Sequence, residues 1–283
     1  MKLFTTIKEI KKELQQLRRK GLTIGFVPTM GALHEGHMAL MRRSVLENDI
    51  SVCSIFVNPI QFNNQDDLKK YPRKLEKDAE MLEKEGCTLL FAPAAEEMYP
   101  GQKTIPMEID FGLLDKVMEG KFRPGHFKGV AIVVKKLFDI TEPTRAYFGK
   151  KDYQQLAVIQ HLVMAMELTV RIVPCETVRD PGGLAMSSRN LRLTIAERNL
   201  APKIYHVLCQ VREKIGKMPV WELKEWAIKK IQENPEFRVE YFEIADKGSL
   251  MPLESWTHKE VAVALTAVYL GEVRLIDNIE LFS

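Results

Sequence analysis

The amino-acid sequence predicts an α/β protein: a doubly wound parallel sheet, followed by a second, smaller α+β domain at the C-terminal end. Near-continuous apolar segments, such as residues 22–27 and 50–57, have the composition of strands that are buried on both faces. Segments with apolar residues at helical spacing separate these strands, and this alternation is typical of a parallel sheet covered by helices. After about residue 176, two helical segments precede strand-like segments with partial alternation, which predicts the separate domain.

Local patterns predict the elements in chain order. The first helix places Ile7, Ile10, Leu14 and Leu17 on one face and ends near Gly21. Strands are predicted over 22–27, 50–57, 88–91, 145–148 and 170–173, with further helices over 38–46, 74–85, 130–138 and 153–166. In the second domain, helices over 196–215 and 221–231 precede strands over 239–244 and 261–265. Because ligands of such sheets bind beyond the carboxyl ends of the strands, the segments that follow the strands are the candidate functional sites.

Composition restricts the class of protein without identifying it. The chain has 283 residues, of which 46% are hydrophobic and 28% are charged, which is ordinary for a globular protein of two domains. A formal net charge of +3 gives no strong field for nucleic acid, and no apolar segment has the length of a membrane span. Four scattered cysteines form no C-x-x-C pair and the first residues contain no apolar signal core, so we expect a cytoplasmic protein.

The most informative segment is residues 28–39, Pro-Thr-Met-Gly-Ala-Leu-His-Glu-Gly-His-Met-Ala, between a predicted strand and a predicted helix. A helix N-terminus attracts anions, because unpaired backbone N–H groups and the positive end of the helix dipole point at them. Gly31 and Gly36 let a polyphosphate approach the backbone. His34 and His37 can donate hydrogen bonds to phosphate oxygens or protonate a departing one. The segment therefore predicts nucleotide chemistry.

Three other interpretations of this segment remain open. Gly31 and Gly36 have P-loop spacing, but His37 and Met38 stand where that loop requires a lysine and a hydroxyl residue. A zinc-protease helix requires H-E-x-x-H, whereas this segment is one residue shorter and contains a glycine. The third interpretation is a tight turn whose histidines only cap the following helix.

Amide side chains follow the second predicted strand. Asn58 and Gln61, in Phe-Val-Asn-Pro-Ile-Gln-Phe at 56–62, can recognise hydroxyls and carboxylates by donating and accepting together, although Asn-Pro is also ordinary turn chemistry. Further along, the glycine-rich segment Glu-Gly-Lys-Phe-Arg-Pro-Gly-His-Phe-Lys-Gly at 119–129 precedes a very apolar helix. A solvated loop is the alternative interpretation of that segment.

Two later segments carry positive charge. In Phe-Gly-Lys-Lys-Asp-Tyr-Gln-Gln-Leu at 148–156, Lys151 can reach a phosphate, Asp152 is placed as a helix N-cap, and Gln155 lies about one turn into the helix. In Leu-Ala-Met-Ser-Ser-Arg-Asn at 184–190, two hydroxyls and a guanidinium follow a flexible Asp-Pro-Gly-Gly. Such a loop can close over a triphosphate and stabilise the charge that develops as pyrophosphate leaves; an exposed turn or a phosphorylation site is the alternative.

Together these motifs resemble a known family. A His-x-Gly-His turn after a strand, with a distant Met-Ser-Ser-Arg loop, is similar to the nucleotidyltransferase superfamily, which includes class I aminoacyl-tRNA synthetases. The longer segments at 28–37, 56–62, 123–130, 148–156 and 183–190, in this order, resemble the pantothenate synthetase (pantoate–β-alanine ligase) family over about residues 22–192. The C-terminal third fits that family in length only.

The resemblance implies a Rossmann-like nucleotide- and pantoate-binding domain at residues 1–176 and a C-terminal α+β lid domain at 177–283. It implies that pantoate attacks the α-phosphate of ATP, so that pyrophosphate leaves and pantoyl adenylate forms. β-Alanine then attacks the acyl carbon, which releases AMP and gives pantothenate. The resemblance further implies Mg²⁺ with ATP, a cytoplasmic homodimer, and no nucleic-acid or membrane partner.

Residue roles are implied by the same resemblance. The catalytic set is His37 as proton donor, His34, Lys151, Ser187, Ser188 and Arg189. The ATP-binding set is Met30, Gly31, Ala32, Leu33, His34, Glu35, Gly36, His37, Gly149, Lys150, Lys151, Asp152, Val178, Met186, Ser187, Ser188 and Arg189.

The implied substrate-binding and metal-binding residues come from other segments. Gln61 and Gln155 hold pantoate, with Asn58 as a further candidate, and Gln61 also meets β-alanine. Asp78 matches a family position linked to Mg²⁺, and a solvated helix residue is the alternative interpretation of it.

The chain departs from the family pattern at two positions. Gly182 stands where aspartate is common, and Lys150 stands where glutamate or glutamine is frequent. The extra positive charge of Lys150 predicts tighter ATP binding at low salt.

Other functions remain open at this stage. One is another acid-activating, adenylate-forming ligase or nucleotidyltransferase of the same superfamily. Another is a tRNA synthetase, although the chain has no room for a sizeable anticodon-binding module. A third is a non-catalytic nucleotide-binding protein, against which the presence of both substrate pockets argues.

Overall fold

The structure is a computed structural model that describes residues 1–62, 68–69, 71–101, 109–256 and 262–281. The chain forms two compact units. The first comprises Met1–Lys150 and Gln155–Glu176, and the second comprises Lys151–Gln154 and Thr177–Ser283.

The first unit contains a six-stranded sheet in which every pairing is parallel. Its strands are β1 (Lys2–Phe4), β2 (Ile24–Thr29), β3 (Ile50–Ile55), β4 (Leu89–Phe91), β5 (Arg145–Gly149) and β6 (Arg171–Cys175). The order across the sheet is β1-β4-β3-β2-β5-β6. The predicted doubly wound parallel sheet is thus confirmed. The prediction missed β1, because three residues are too few to show a strand pattern.

Helices cover both faces of this sheet. They are α1 (Ile7–Arg19), α2 (Glu35–Glu47), α3 (Leu75–Lys84), α4 (Ala95–Met98), α5 (Met118–Phe122), α6 (His126–Thr141) and α7 (Tyr153–Ala165). Successive strand residues point to opposite faces, so Phe26 packs in one core cluster with α6 residues such as Val130, while Val27 packs in another with Met38 and Met41 of α2. This double burial explains the continuous apolar strands.

Two helices begin earlier than their apolar pattern predicts. Helix α2 begins at Glu35 and not at Met38, because His34 caps it and the first turn is polar. Helix α6 begins at His126 and not at Val130, after Gly125 in the left-handed conformation. In both cases the missed first turn belongs to a candidate functional segment.

The second unit contains helices and an antiparallel sheet. The helices are α8 (Ile195–Leu200), α9 (Lys203–Glu213) and α10 (Val220–Ile231), and the sheet has the order β7 (Phe237–Asp246), β8 (Ala262–Leu270) and β9 (Val273–Glu280). The predicted single helix over 196–215 is wrong: it is interrupted at Ala201 and Pro202, because proline cannot donate to the helical ladder. The predicted strand over 261–265 corresponds to β8, although Val261 itself lies outside the described residues.

The cysteines form no disulfide in the part of the chain that the structure describes. Cys53, Cys87 and Cys175 are buried and Cys209 is half-buried. Burial raises the pKa of the Cys53 and Cys175 thiols and raises that of Cys87 to about 12. The three buried thiols are therefore packing residues. Among the described helices, none combines the length and the apolar character needed to span a membrane.

Candidate active site

The His34 turn, residues 30–37, lies at the point where the strand order of the sheet reverses. From β2 the chain continues outward through β3 and β4 on one side, whereas β5 and β6 lie on the other side. In a doubly wound sheet, the crevice beyond the carboxyl end of the strand at such a point is where ligands bind. The residues at 58–61 follow the neighbouring strand β3, so both segments stand at the same edge of the sheet.

The backbone of the turn begins with two left-handed residues. Gly31 has φ +82° and Ala32 has φ +51°. The left-handed conformation costs a non-glycine residue roughly 1–2 kcal/mol, so the structure must hold Ala32 in it. Thr29 supports the first residue: its hydroxyl accepts from the Gly31 N–H at 3.2 Å and donates to the Ser54 carbonyl at 2.7 Å.

A buried carboxylate supports the next two residues of the turn. Asp78 in α3 is 2% exposed. Its Oδ2 accepts from the Ala32 N–H and its Oδ1 from the Leu33 N–H, each at 2.9 Å. The alternative interpretation of Asp78 as a solvated helix residue is therefore wrong.

The two histidines close the turn on themselves. His34 is the N-cap of α2: its Nδ1 accepts from the Gly36 N–H at 3.2 Å, while His37 Nδ1 accepts from the His34 N–H at 3.3 Å. The ring centroids are 4.0 Å apart. Because Nδ1 of each ring is an acceptor, a neutral imidazole carries its proton on Nε2. In this tautomer Nε2 is the donor atom of each ring.

These contacts change how the turn meets an anion. The N–H groups of His37 and Met38 donate to the His34 carbonyl, and those of Gly31, Ala32, Leu33, His34 and Gly36 donate to side chains. The expectation that unpaired backbone N–H groups of this turn point at a phosphate is wrong for these residues. A phosphate at this turn would therefore meet side-chain donors, foremost the imidazoles, in place of these N–H groups.

Gln61 lies beside the turn with a defined amide orientation. It is buried in a short 3₁₀ helix, Pro59–Gln61, that follows β3. Its Oε1 accepts from the Asn58 amide at 3.1 Å, and its Nε2 lies 3.0 Å from the sulfur of Met30, the first residue of the turn. The amide that was predicted to hold pantoate is thus adjacent to the turn that was predicted to hold ATP.

Asn58 has its amide occupied by protein groups. Its Nδ2 donates to Gln61 and to the Gly129 carbonyl, and its Oδ1 accepts from the Tyr99 hydroxyl at 3.0 Å. Burial raises the pKa of Tyr99, so its phenol remains a donor at neutral pH. The residue is 1% exposed, and this geometry favours a role in orienting Gln61 over direct contact with a substrate.

The glycine-rich segment at 119–129 holds the backbone of the same residue, Gln61. His126, at the start of α6, donates from Nδ1 to the backbone carbonyl of Gln61 at 2.9 Å. A Cβ on Gly129 would lie 2.8 Å from Gln61 Cα, so only glycine allows α6 to pack this closely. The solvated-loop interpretation is wrong for His126, Phe127 and Gly129, which are buried.

We expect Tyr99→Phe to raise the KM for pantoate about threefold to tenfold with little change in the KM for ATP. The variant removes the donor that fixes the Asn58 amide, and Asn58 in turn fixes the side-chain oxygen Oε1 of Gln61. Steady-state kinetics with each substrate varied in turn checks this. Tyr269→Phe, in β8 of the second unit, is the control; an unchanged KM for pantoate in a folded Tyr99→Phe protein would refute the orienting role.

In the second unit, Val178 and Met186 belong to a closed hairpin. The Met186 N–H donates to the Val178 carbonyl and the Asp180 N–H to the Leu184 carbonyl, each at 2.9 Å. Arg179 forms a two-pronged ion pair with Asp277 at 2.6 and 2.8 Å and stacks on Tyr205. The sequence suggested a flexible loop, whereas the described bonds tie both of its ends.

The Gly182 departure fits this hairpin. Asp180 Oδ1 accepts from the N–H groups of Gly182 and Leu184 at 3.0 and 2.9 Å, so Asp180 supplies a carboxylate at the turn. A Cβ at position 182 would lie 3.2 Å from Pro202 Cγ and 3.3 Å from Asp180 Oδ1. Glycine is therefore the residue that this turn accommodates without a shift of its neighbours.

Beyond the hairpin, Ser187 caps a 3₁₀ helix, Ser188–Arg192, by accepting from the Arg189 N–H at 3.2 Å. The buried Asn190 amide donates to the Ala185 carbonyl at 3.0 Å. The chain that carries the two predicted hydroxyls and the guanidinium is therefore fixed at both ends of the motif.

The Lys150 segment follows β5. Lys150 donates to Glu176 at 2.5 Å within the first unit, and this partner offsets the extra charge from which tighter ATP binding was predicted. In the second unit, the Lys151 carbonyl accepts from the Asn278 amide at 2.9 Å. Asp152 directly precedes α7, and Gln155 lies in the first turn of that helix and is half-buried.

The residues present do not fit the implied Mg²⁺ ligand. Both oxygens of Asp78 already accept from backbone amides, and the carboxylate is buried. Within the described ranges, no group of three or more His, Cys, Asp or Glu side chains is arranged to hold a metal ion.

Sequence reasoning missed the residues that hold the site. Thr29, Tyr99 and His126 were assigned no role, since each acts on a partner far away in sequence or through a common turn contact. The only available signal was that Thr29 and His126 lie inside motifs of the family resemblance. Tyr99 had none.

The fold and the His34 turn define the class: an α/β enzyme built on a doubly wound parallel sheet. The chain belongs to the pantoate-β-alanine ligase family, whose model, described as Pantoate-beta-alanine ligase, matches residues 2–280. It is 50% identical over 281 residues to a protein named pantothenate synthetase from Phocaeicola vulgatus, with 99% of both chains covered.

Solved structures agree with this membership. The chain resembles the crystal structure of pantothenate synthetase from Thermus thermophilus with a TM-score of 0.92, 42% identity and full coverage of both chains. It also resembles pantoate-beta-alanine ligase from Francisella tularensis complexed with beta-gamma ATP and beta-alanine, with a TM-score of 0.83 and 36% identity over 99% of this chain and 98% of that one.

Proposed function

We propose that the chain condenses pantoate with β-alanine at the expense of ATP, through pantoyl adenylate, and releases AMP and pyrophosphate. One observation carries the proposal: the oriented Gln61 amide lies 3.0 Å from Met30, the first residue of the His34 turn. An amide suited to a hydroxy acid thus adjoins imidazole donors suited to phosphate. Family membership and the Francisella tularensis complex with beta-gamma ATP and beta-alanine support the same conclusion.

The first step is displacement at phosphorus. A carboxylate oxygen of pantoate attacks the α-phosphorus of ATP, the bond to the bridging oxygen breaks, and pyrophosphate takes the electron pair. Gln61 and Gln155 hold pantoate so that attack is in line, and the Nε2–H groups of His34 and His37 donate to the charge that develops on phosphate oxygens. We propose that His37 donates its Nε2 proton to an oxygen of the departing pyrophosphate. Nδ1 must first release the His34 N–H and take up a proton, so that the ring is left neutral after the transfer.

The second step is acyl transfer. The amine of β-alanine attacks the acyl carbon of the adenylate, AMP leaves, and the nitrogen loses a proton as the amide forms. We propose that Gln61 also meets the β-alanine molecule. Asn58 keeps the orientation of Gln61 fixed through both steps.

The remaining ATP contacts are proposals for each unit separately. In the first unit they are Met30, Gly31, Ala32, Leu33, Glu35, Gly36, Gly149 and Lys150. In the second unit we propose that Lys151 contacts phosphate and that Asp152 contacts ribose. The other proposed contacts of this unit are Val178, Met186, Ser187, Ser188 and Arg189. Within this unit, the Asn278 amide fixes the backbone at Lys151, and the Ser187 cap fixes the backbone at Arg189.

Three further expectations belong to this proposal. Mg²⁺ accompanies the ATP phosphates, and we assign no ligand for it in this chain. The protein is a cytoplasmic homodimer, which sedimentation equilibrium tests for the oligomeric state. Its partners are the small molecules ATP, pantoate and β-alanine.

Exchange of labelled pyrophosphate into ATP tests the function directly. With Mg²⁺ present and β-alanine absent, we expect exchange only when pantoate is added, because the adenylate then forms reversibly. Exchange driven by a different acid would instead support another adenylate-forming ligase. A folded protein that binds ATP without any exchange would contradict the proposal.

A further inference from the structure

Asp78 is a buried carboxylate with a specific pair of partners. It lies in α3, 45 and 46 residues along the chain from the amides that it accepts, those of Leu33 and Ala32. Each oxygen takes one N–H at 2.9 Å, and a carboxylate that accepts two backbone N–H bonds makes strong, charge-assisted contacts. The arrangement is a clamp on two consecutive residues of the His34 turn.

The clamp acts where the turn most needs support. Ala32 adopts φ +51°, a conformation that its side chain disfavours, and it directly follows Gly31 at φ +82°. A Cβ on Gly31 would lie 3.1 Å from Asp78 Oδ2, so the carboxylate is packed against the turn as well as bonded to it. Two residues later the chain reaches His34, whose orientation depends on this path.

We propose that Asp78 is a positioning residue that sets the conformation of the His34 turn, and that it does not bind Mg²⁺. This inference rests on the proposed function in one respect: the turn is taken to bind the phosphates of ATP. A metal ligand at Asp78 would need an oxygen that faces solvent or substrate, whereas both oxygens face backbone amides and the residue is 2% exposed. Asp78 therefore affects the affinity for ATP indirectly, by holding the His34 turn in its conformation.

The test compares the binding of ATP with and without metal. Asp78→Asn keeps the shape but replaces one acceptor with an NH₂ donor, which would face a backbone N–H donor. We expect the affinity for metal-free ATP in EDTA and the affinity for Mg·ATP to fall by the same factor, about tenfold or more. Isothermal titration calorimetry without pantoate measures both. Glu80→Gln, an exposed residue of the same helix, is the matched control and should leave both affinities unchanged.

Two outcomes would overturn the inference. A loss confined to Mg·ATP would make Asp78 a metal ligand, and no loss in either affinity would make the clamp irrelevant to binding. Since Asp78→Asn can also fail to fold, Thr29→Val provides a second route, because it removes the acceptor of the Gly31 N–H. We expect Thr29→Val to weaken both forms of ATP equally and Thr29→Ser to restore them; a Thr29→Val protein with wild-type affinities would count against the inference.

A spectroscopic signature separates positioning from general destabilisation. Amide protons bonded to a carboxylate resonate downfield, so the Ala32 and Leu33 N–H signals should move upfield in Asp78→Asn and stay in place in Glu80→Gln. Neither this readout nor ATP binding requires pantoate. If pyrophosphate exchange fails while both affinities still fall equally, the proposed function is wrong and the positioning role stands.

Discussion

His37→Ala should slow pantoate-dependent pyrophosphate exchange by about 10²–10⁴-fold, the range over which a positioned proton donor or hydrogen-bond donor acts. The imidazole is the side-chain donor of a turn whose neighbouring N–H groups are bonded within the protein. Loss of the cap on the His34 N–H adds a smaller cost, about 0.5–2 kcal/mol of stability. Exchange rates at saturating substrates, with thermal unfolding alongside, measure the two effects separately.

The matched control for this variant is His206→Ala, at an exposed position of α9. It should retain the wild-type exchange rate. His37→Gln distinguishes the two roles of the imidazole, because its amide can donate a hydrogen bond but cannot transfer a proton at neutral pH. If a folded His37→Ala protein exchanges pyrophosphate at the wild-type rate, the assignment of His37 as a donor in adenylate formation is wrong.

Gly129→Ala should raise the KM for pantoate by about tenfold or more and lower the melting temperature. A methyl group at this position would lie 2.8 Å from both Gln61 Cα and the Ile60 carbonyl, which are backbone atoms that cannot rotate away. Overpacking of this kind costs about 1–3 kcal/mol, whereas alanine in place of glycine within a helix normally contributes about 0.5–1 kcal/mol. Helix propensity alone would make Gly129→Ala more stable than the wild type, so a lower melting temperature would indicate overpacking.

Gly248→Ala is the control for this substitution, since a Cβ there makes only an ordinary contact at 3.6 Å. Steady-state kinetics with varied pantoate give the KM of each variant, and thermal unfolding gives its melting temperature. A Gly129→Ala protein with the wild-type KM for pantoate would show that the position of the 3₁₀ helix Pro59–Gln61 does not limit pantoate binding.

The sheet could be predicted from the sequence because its strands are apolar on both faces and recur between amphipathic helices. Phe26 and Val27 are neighbours in the chain and pack in different hydrophobic cores, because helices cover both faces of the sheet. This is why both residues are apolar. The failures have local causes as well. The three-residue β1 is too short for a pattern, and the break at Pro202 lies inside continuous helical periodicity.

The candidate site was predictable where chemistry is concentrated in one segment and not where it depends on distant contacts. The motifs located His34, His37 and Gln61, each at the end of a strand. They gave no sign that Asp78 holds the His34 turn or that Tyr99 holds the Asn58 amide. Asp78 lies 46 residues from Ala32, and Tyr99 lies 41 residues from Asn58. Register between elements determines such pairs, and a single sequence does not contain that register.

The closed hydrogen bonding of the His34 turn has a consequence for the thermodynamics of nucleotide binding. Because the N–H groups of residues 31–34, 36 and 37 are bonded within the protein, these residues lose their conformational entropy when the chain folds and not when ATP arrives. A loop that became ordered around the nucleotide would lose about 1–2 kcal/mol for each residue fixed. The turn is preorganised, so the free energy of the phosphate contacts that we propose for it would go almost entirely into affinity and alignment.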